Sequence, residues 1–235
     1  MNKKNGNMYE FITHTSNPIK GLCPHKCCYC YMEAIFRRYH GDQTLRLDEN
    51  ELNASYGKGN FVFMGSSTDI FANAVPGEWI VKTYDKCARY NENRYLFQSK
   101  NPGRFLDPLL MGHPLMQDKD RIFFATTIES NRDYPISKAQ SMLERVNAMT
   151  ILREQGFRVM VTMEPIMEFD YEIVIDMMRK ISPFQVNIGC NSSKDIQLPE
   201  PTRDEIIALV RELRTFTNVK LKSNSYRILG DISLI

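Results

Sequence analysis

Cys23-Pro24-His25-Lys26-Cys27-Cys28-Tyr29-Cys30 gathers four of the chain's six cysteines into eight residues. Such crowding suits metal binding in a reducing compartment better than a disulfide framework. Cys23, Cys27 and Cys30 have the spacing C-x3-C-x2-C, with Tyr29 just before the last thiol. Three thiolates on a short loop can hold three irons of a four-iron cluster, leaving the fourth iron without a protein ligand. An open coordination position is what a catalytic metal needs, whereas a structural site is closed. The competing reading is a structural zinc with Cys28 as fourth ligand, in a nucleic-acid-associated module without catalysis. Adjacent Cys27 and Cys28 would chelate one tetrahedral ion awkwardly, and no second C-x2-C pair follows. Cys28 is therefore expected to point away from the metal, and His25 to be a solvent-exposed loop residue.

Outward from this loop, short apolar runs alternate with helical stretches. Tyr9 to Thr13 reads as a strand just ahead of the cysteines. Phe61 to Met64, Tyr95 to Gln98, Ile122 to Ile128, Phe157 to Met163 and Phe184 to Ile188 follow as buried strands, with Val219-Lys220-Leu221 as a late addition. Ser137-Lys138-Ala139-Gln140 reads as a capping box opening a helix that ends at Gly156, and Thr202-Arg203-Asp204-Glu205 as a second. Asp170 is placed to cap the helix through Ile173, Ile175 and Met178, and Pro76-Gly77 opens another. Near-continuous apolar strands separated by helices predict a parallel sheet covered by helices. Six units fit an incomplete β/α barrel, with an open doubly wound sheet as the alternative. Either fold places ligands at the C-terminal strand ends.

The bulk numbers are consistent with this. A chain of 235 residues, 43% hydrophobic and 25% charged, is ordinary for one α/β domain. A net charge of +2 neither argues for a nucleic-acid partner nor excludes one. No apolar run reaches the ~20 residues of a membrane span, and no apolar segment follows the basic start, so a cytoplasmic, non-membrane protein is expected. The 13 methionines are dispersed and read as core filler.

The Cys23, Cys27, Tyr29, Cys30 pattern resembles the signature of the radical SAM superfamily. The wider chain resembles a branch of phage and bacterial proteins distantly similar to spore photoproduct lyase. Thr15 to Pro18, Gly65 to Phe71, Gln98 to Pro102, Thr127 to Glu129, Met163 to Pro165 and Asn187 to Gly189 carry that likeness. The resemblance implies a partial (β/α)6 TIM-type barrel with the cluster loop after the first strand, in a single domain spanning 1–235 with its core at about 9–225. It implies a [4Fe-4S] cluster and S-adenosylmethionine, whose reductive cleavage yields a 5′-deoxyadenosyl radical. An electron donor such as flavodoxin or ferredoxin follows as a partner.

For the other strand ends the resemblance implies cofactor contacts. Gly65, Ser66 and Ser67 would meet the cofactor's amino group, with Asp69 supplying charge; the commoner Gly-Gly-Glu is replaced here by Gly-Ser-Ser. Ser99 and Lys100 would meet its carboxylate, and Thr127 and Glu129 its ribose hydroxyls. Each also has a plain reading as a turn or a solvated strand end. Glu164 would bind substrate or neutralise Lys100 or an arginine. Cys190, after the sixth strand, would donate hydrogen to a product radical if it faces the cavity, and is otherwise a small core residue. Cys87 reads as core. Arg37, Arg38, Tyr39 and His40 form a basic, aromatic group close to the cluster loop, read as a solvated helix face or as a phosphate contact.

Overall fold

The computed structural model describes residues 1–3, 9–39, 41–193 and 195–230. Among these, ten strands run β1 Asn2–Lys3, β2 His14–Ser16, β3 Ile19–Lys20, β4 Arg46–Leu47, β5 Phe61–Met64, β6 Arg94–Gln98, β7 Ile122–Thr127, β8 Arg158–Met163, β9 Gln185–Ile188 and β10 Asn218–Leu221. Eight of them form one sheet in the order β1-β2-β5-β6-β7-β8-β9-β10, while β3 and β4 make a separate ribbon. From β2 to β10 every pairing in the large sheet is parallel; β1 alone is antiparallel, to β2. The sheet is open, with β1 and β10 as its edges. The expected partial barrel is thus a seven-strand parallel arc rather than six, because Asn218–Leu221 pairs in full register with β9.

Among the described residues eight α-helices connect and cover the strands: α1 Tyr31–Tyr39, α2 Glu49–Asn53, α3 Gly77–Arg89, α4 Pro108–Met111, α5 Met142–Glu154, α6 Tyr171–Ile181, α7 Arg203–Leu213 and α8 Tyr226–Leu229. The period-two alternation of each strand divides its residues between two faces. Val62, Met64, Tyr95, Phe97, Phe124, Val161 and Val186 pack outward against helical residues such as Ile80, Tyr84, Met149, Val174 and Leu209. The opposite face presents Phe61, Leu96, Phe123, Ala125 and Met160. No helix covers that inner face in the described residues; Tyr9 and Ile12, with Phe11 beside them, do.

That arrangement corrects the first expected strand. Tyr9 to Ile12 is a turn, closed by Ile12 N–H donating to the Tyr9 carbonyl at 3.1 Å, and the strand begins only at His14. The aromatic and branched residues that suggested a strand are spent on the inner face, where the Phe11 and Phe61 rings lie 4.9 Å apart. The capping box of α5 is also displaced. Ser141 and Glu144 make both reciprocal bonds, so the helix starts at Met142. The Ser137 to Gln140 stretch is committed elsewhere: Lys138 N–H donates to the His25 carbonyl at 2.7 Å, and the Gln140 carbonyl accepts from Arg145 Nε at 2.9 Å. Gly156 lies just past the helix at φ +88°, and the Thr202–Glu205 box opens α7 as expected. Asp170 holds the N-cap position of α6 without a capping bond, because its carboxylate is bound by Asn131 and Arg132.

Candidate active site

The cysteine loop sits at the C-terminal end of β2, the first strand of the parallel arc. Its shape is fixed by backbone bonds: Lys26 N–H to the Cys23 carbonyl at 3.3 Å, Cys30 N–H to the Cys27 carbonyl at 3.0 Å, and Cys28 N–H to the Ile136 carbonyl at 2.9 Å. Cys27 is buried, Cys23 and Cys30 are partly accessible, and Cys28 is exposed; all six cysteines are free thiols. Burial, with Asp69 adding to it, pushes the Cys23 thiol up to about 12. Burial also raises Cys27, against the pull of Lys100. Among the described residues no three His, Cys, Asp or Glu side chains converge closely enough to hold a single metal ion.

His25 is not the exposed loop residue expected. It is buried, and its Nε2 lies 2.8 Å from Asp69 Oδ2. Asp69 is the hub that ties three elements together. The same oxygen accepts from Ser99 Oγ and from Lys100 N–H, each at 2.9 Å, and Oδ1 accepts from Phe71 N–H at 2.9 Å. Burial alone would raise this carboxyl, but the bonds from His25 and the backbone outweigh it and hold it below the usual range. Both oxygens of Asp69 are thus spent within the protein. The Gly65 turn that precedes it has φ +77°, and a Cβ there would meet Ile70 Cγ2 at 2.7 Å, so only glycine fits. Asn17 Oδ1 accepts from Ser67 N–H at 3.0 Å and from Ser66 Oγ at 3.3 Å.

Lys100 and Glu129 form the second hub. Lys100 Nζ donates to Glu129 Oε1 at 2.8 Å and to Cys27 Sγ at 3.3 Å, and it also bonds the Tyr29 hydroxyl. The Tyr29 hydroxyl in turn donates to Glu129. Glu129 is fully buried, and its Oε2 accepts from Arg145 Nη1 at 2.9 Å. Burial works against both charges, but Glu129 holds the Lys100 ammonium well above its ordinary value while Lys100 and Arg145 hold the Glu129 carboxyl below its own. Glu129, expected to hydrogen-bond the ribose hydroxyls or to be a polar strand end, is the counter-ion of two cations. Thr127, buried, accepts from Gln98 Nε2 at 3.4 Å on the inner face.

The far side of the mouth is built differently. Glu164, expected to bind substrate or to neutralise Lys100 or an arginine, pairs with Lys222 and accepts from Asn224 Nδ2 at 3.0 Å. Gly189 runs close beneath them: a Cβ would lie 2.8 Å from Glu164 Oε1 and 2.9 Å from Asn224 Oδ1. On the inner face, Asn218 Nδ2 donates to Gln185 Oε1 at 3.1 Å and Gln185 Nε2 to Asn187 Oδ1 at 2.7 Å. The relay ends at Asn187 Nδ2, a buried donor with no protein acceptor. The Tyr9 hydroxyl donates to Gln98 Oε1 at 2.6 Å across the same face, and Lys222 Nζ lies 5.1 Å from its ring centre. Cys190 does not face this cavity. It is buried in the sheet–helix layer with its thiol toward the Ser225 carbonyl, and Cys87 is likewise core.

Asp69, Ser99, Lys100, Glu129 and the cysteine loop are therefore one connected unit; Cys190 lies outside it. Sequence reasoning missed Asn17, Arg145 and Tyr9. Asn17 lies within the Thr15 to Pro18 segment, but a buried arginine four residues after the capping Ser141 carries no local signal.

No family model matches the chain, and no curated protein matches it. Solved structures do. A spore photoproduct lyase variant with bound AdoMet and dinucleoside spore photoproduct superposes with a TM-score of 0.64 at 12% identity, covering 93% of this chain and 78% of that one. The fold is that of spore photoproduct lyase. Streptococcus suis SuiB also matches, with a TM-score of 0.57 at 8% identity over 90% of this chain and 49% of its own. SuiB bound to the precursor peptide SuiA gives a TM-score of 0.58 at 10% identity, covering 92% and 50%. Both neighbours are radical SAM enzymes, so the sheet shares its architecture with the radical SAM partial barrel.

Proposed function

We propose that this protein is a radical SAM enzyme whose Cys23, Cys27 and Cys30 hold a [4Fe-4S] cluster. One observation carries the reading: the three thiols of the C-x3-C-x2-C loop stand at the C-terminal mouth of a spore-photoproduct-lyase-like sheet, latched to it through His25 and Asp69. The donor set fits the group. Three soft sulfurs lie on one loop, two are accessible, and the Lys100 ammonium facing Cys27 favours the thiolate that a metal requires. With S-adenosylmethionine also bound, a cluster held there and supplied with one electron would provide reductive cleavage of the cofactor's carbon–sulfur bond, with methionine as the leaving group and hydrogen abstraction from a substrate as the outcome.

The chain's own part is binding and orientation. Gly65, Ser66 and Ser67 offer backbone and hydroxyl groups at the end of β5, and Ser99 and Lys100 do so at the end of β6. Lys100, released from Glu129 or shared with it, is the cation for a cofactor carboxylate. Thr127 faces the inner cavity, while Asp69 and Glu129 act by fixing the loop and the lysine. Cys190, enclosed in the outer layer, is not supported as a hydrogen donor. Asn187 Nδ2 and the aromatic wall of Tyr9 mark where a substrate's neutral carbonyl would be received. A nucleic-acid base, admitted through the open side of the arc, is the substrate class we favour, since the spore photoproduct lyase structure holds a dinucleoside.

Anaerobic reconstitution tests this. The protein should turn brown, bind iron and sulfide, and convert S-adenosylmethionine to 5′-deoxyadenosine. Colourless protein carrying zinc would overturn it. DNA and RNA titrations at several salt concentrations test the substrate class; no binding at low salt would leave a peptide or a small molecule.

A further inference from the structure

The end of the sheet opposite the cysteine loop carries a second arrangement of side chains. Four rings follow one another across the N-terminal rim of the inner face. Phe11 and Phe61 lie 4.9 Å apart, Phe61 and Phe123 4.7 Å, and Phe123 and Phe184 5.7 Å. Phe61 and Phe123 are each 4% exposed, whereas Phe184, at the end of the row, is 40% exposed. Arg94 and Arg158 are the first residues of β6 and β8, and in the strand register they neighbour Phe61 and Phe123. Their guanidiniums lie over those same rings, 4.9 Å and 5.4 Å from the centres. Both arginines are exposed, and among the described residues neither side chain has an ion pair or a hydrogen bond. Glu10, Glu92 and Asp118, in the turns that lead into β2, β6 and β7, are each paired with a cation. Asp120 is the one carboxylate of those turns without one among the described residues.

Stacking holds each guanidinium plane in place and leaves its N–H edges free. Two such forks, on strands two apart and so about 10 Å from each other at the backbone, stand beside an exposed ring. We infer that this rim binds a single-stranded nucleic-acid segment, with phosphates on Arg94 and Arg158 and a base stacked on Phe184. The site lies about 16 Å from the mouth along β8 and does not depend on the cluster reading. A carboxylate-rich peptide would meet the guanidiniums but leave the ring bare. The basic group after the cysteine loop offers less. The side chain of Arg37 and the whole of His40 lie outside the described residues, which leaves Arg38, 5.6 Å from the Tyr39 ring centre, as the described cation of that group.

The test uses the full reconstituted chain and a fluorescein-labelled oligothymidylate, with thymidine monophosphate and inorganic phosphate as competitors. The parent should bind the oligonucleotide, and neither competitor should displace it at equal phosphate concentration. Arg94→Gln with Arg158→Gln should weaken binding at least about tenfold. It should also make log affinity against log salt shallower by about 1.4, the share of two phosphate contacts to a single strand. Arg94→Lys with Arg158→Lys keeps both charges over the rings and should keep that slope. Phe184→Ser should weaken binding about fivefold or more and leave the slope unchanged. Dithionite-driven cleavage of S-adenosylmethionine should be equal in parent and variants. A double glutamine variant with the parent's affinity and slope would overturn the inference and leave the catalytic reading intact. So would a parent displaced as readily by inorganic phosphate, or one that binds no oligonucleotide. A chain that takes up no cluster yet shows these losses would overturn the catalytic reading and support this one.

Discussion

The two sides of the sheet's mouth solve the same problem in opposite ways. Beside the cysteine loop, Asp69, Lys100, Glu129 and Arg145 carry four charges in or near the interior, and each is met by partners from other elements. Across the mouth, Glu164, Lys222 and Asn224 form a smaller, more accessible group, and Asn187 Nδ2 and Asn224 Oδ1 are left without partners. A self-satisfied network is rigid before any ligand arrives and can position one. Unmet polar groups cost stability until something meets them. The near side is thus rigid without a ligand, and the far side keeps polar groups that a ligand could meet.

The sharpest way to break this comparison is at the thiols. Cys23→Ala, Cys27→Ala and Cys30→Ala should each abolish the reducible cluster signal after reconstitution, while Cys28→Ala retains it. Loss in Cys28→Ala with retention in Cys27→Ala would reverse the ligand assignment.

Next in size is the buried carboxylate. Glu129→Gln leaves Arg145, 2% exposed, without its counter-ion. Removing one partner of a buried pair costs about 3–5 kcal/mol, to be read from urea unfolding of the apoprotein. The matching change across the mouth, Glu164→Gln, touches a pair 13% and 24% exposed and should cost only ~1 kcal/mol. Equal losses would show that the two sides do not differ as described.

Acid should separate them too. Asp69 and Glu129 are both held below the ordinary carboxylate range. Their stabilising effect is therefore fully present above about pH 4–4.5, where the unfolded chain is ionised, and is lost as pH falls through the lower folded values. Unfolding free energy should decline over that acid range in the parent and decline less in Glu129→Gln. An identical slope would remove Glu129 from the account.

The smallest effect is expected at the cofactor turn. Ser67→Leu should weaken S-adenosylmethionine binding, measured by calorimetry, while the cluster spectrum is unchanged. Unaltered affinity would reduce Gly65 to Ser67 to a structural turn.

The strands from Phe61 to Ile188 were legible because each is an apolar run bounded by turn residues, and that is a local property. The C-x3-C-x2-C spacing is local as well. What could not be read is how the strand-end side chains divide their bonds. Asp69, Lys100 and Glu129 each end or follow a strand on the ligand side, and that much is legible. Their partners within the protein, His25, Cys27 and Arg145, come from other elements, and no spacing encodes such pairs. Tyr9 to Ile12 misled for a related reason: a segment that covers one face of a sheet has the composition of a strand without pairing as one.

That covering segment has a consequence for the order in which the molecule assembles. The Tyr9 hydroxyl reaches Gln98, 89 residues later in the chain, and Phe11 packs on Phe61. Residues made before the strands they cover are thus among the last to find their place, since that surface does not exist until the strands through Met160 have been made. Contacts of such long sequence separation are slow to form. Until they close, the inner aromatic face stands open to water and to neighbouring chains, and synthesis at lower temperature, or with a chaperone that shields this face, should raise the yield of folded protein.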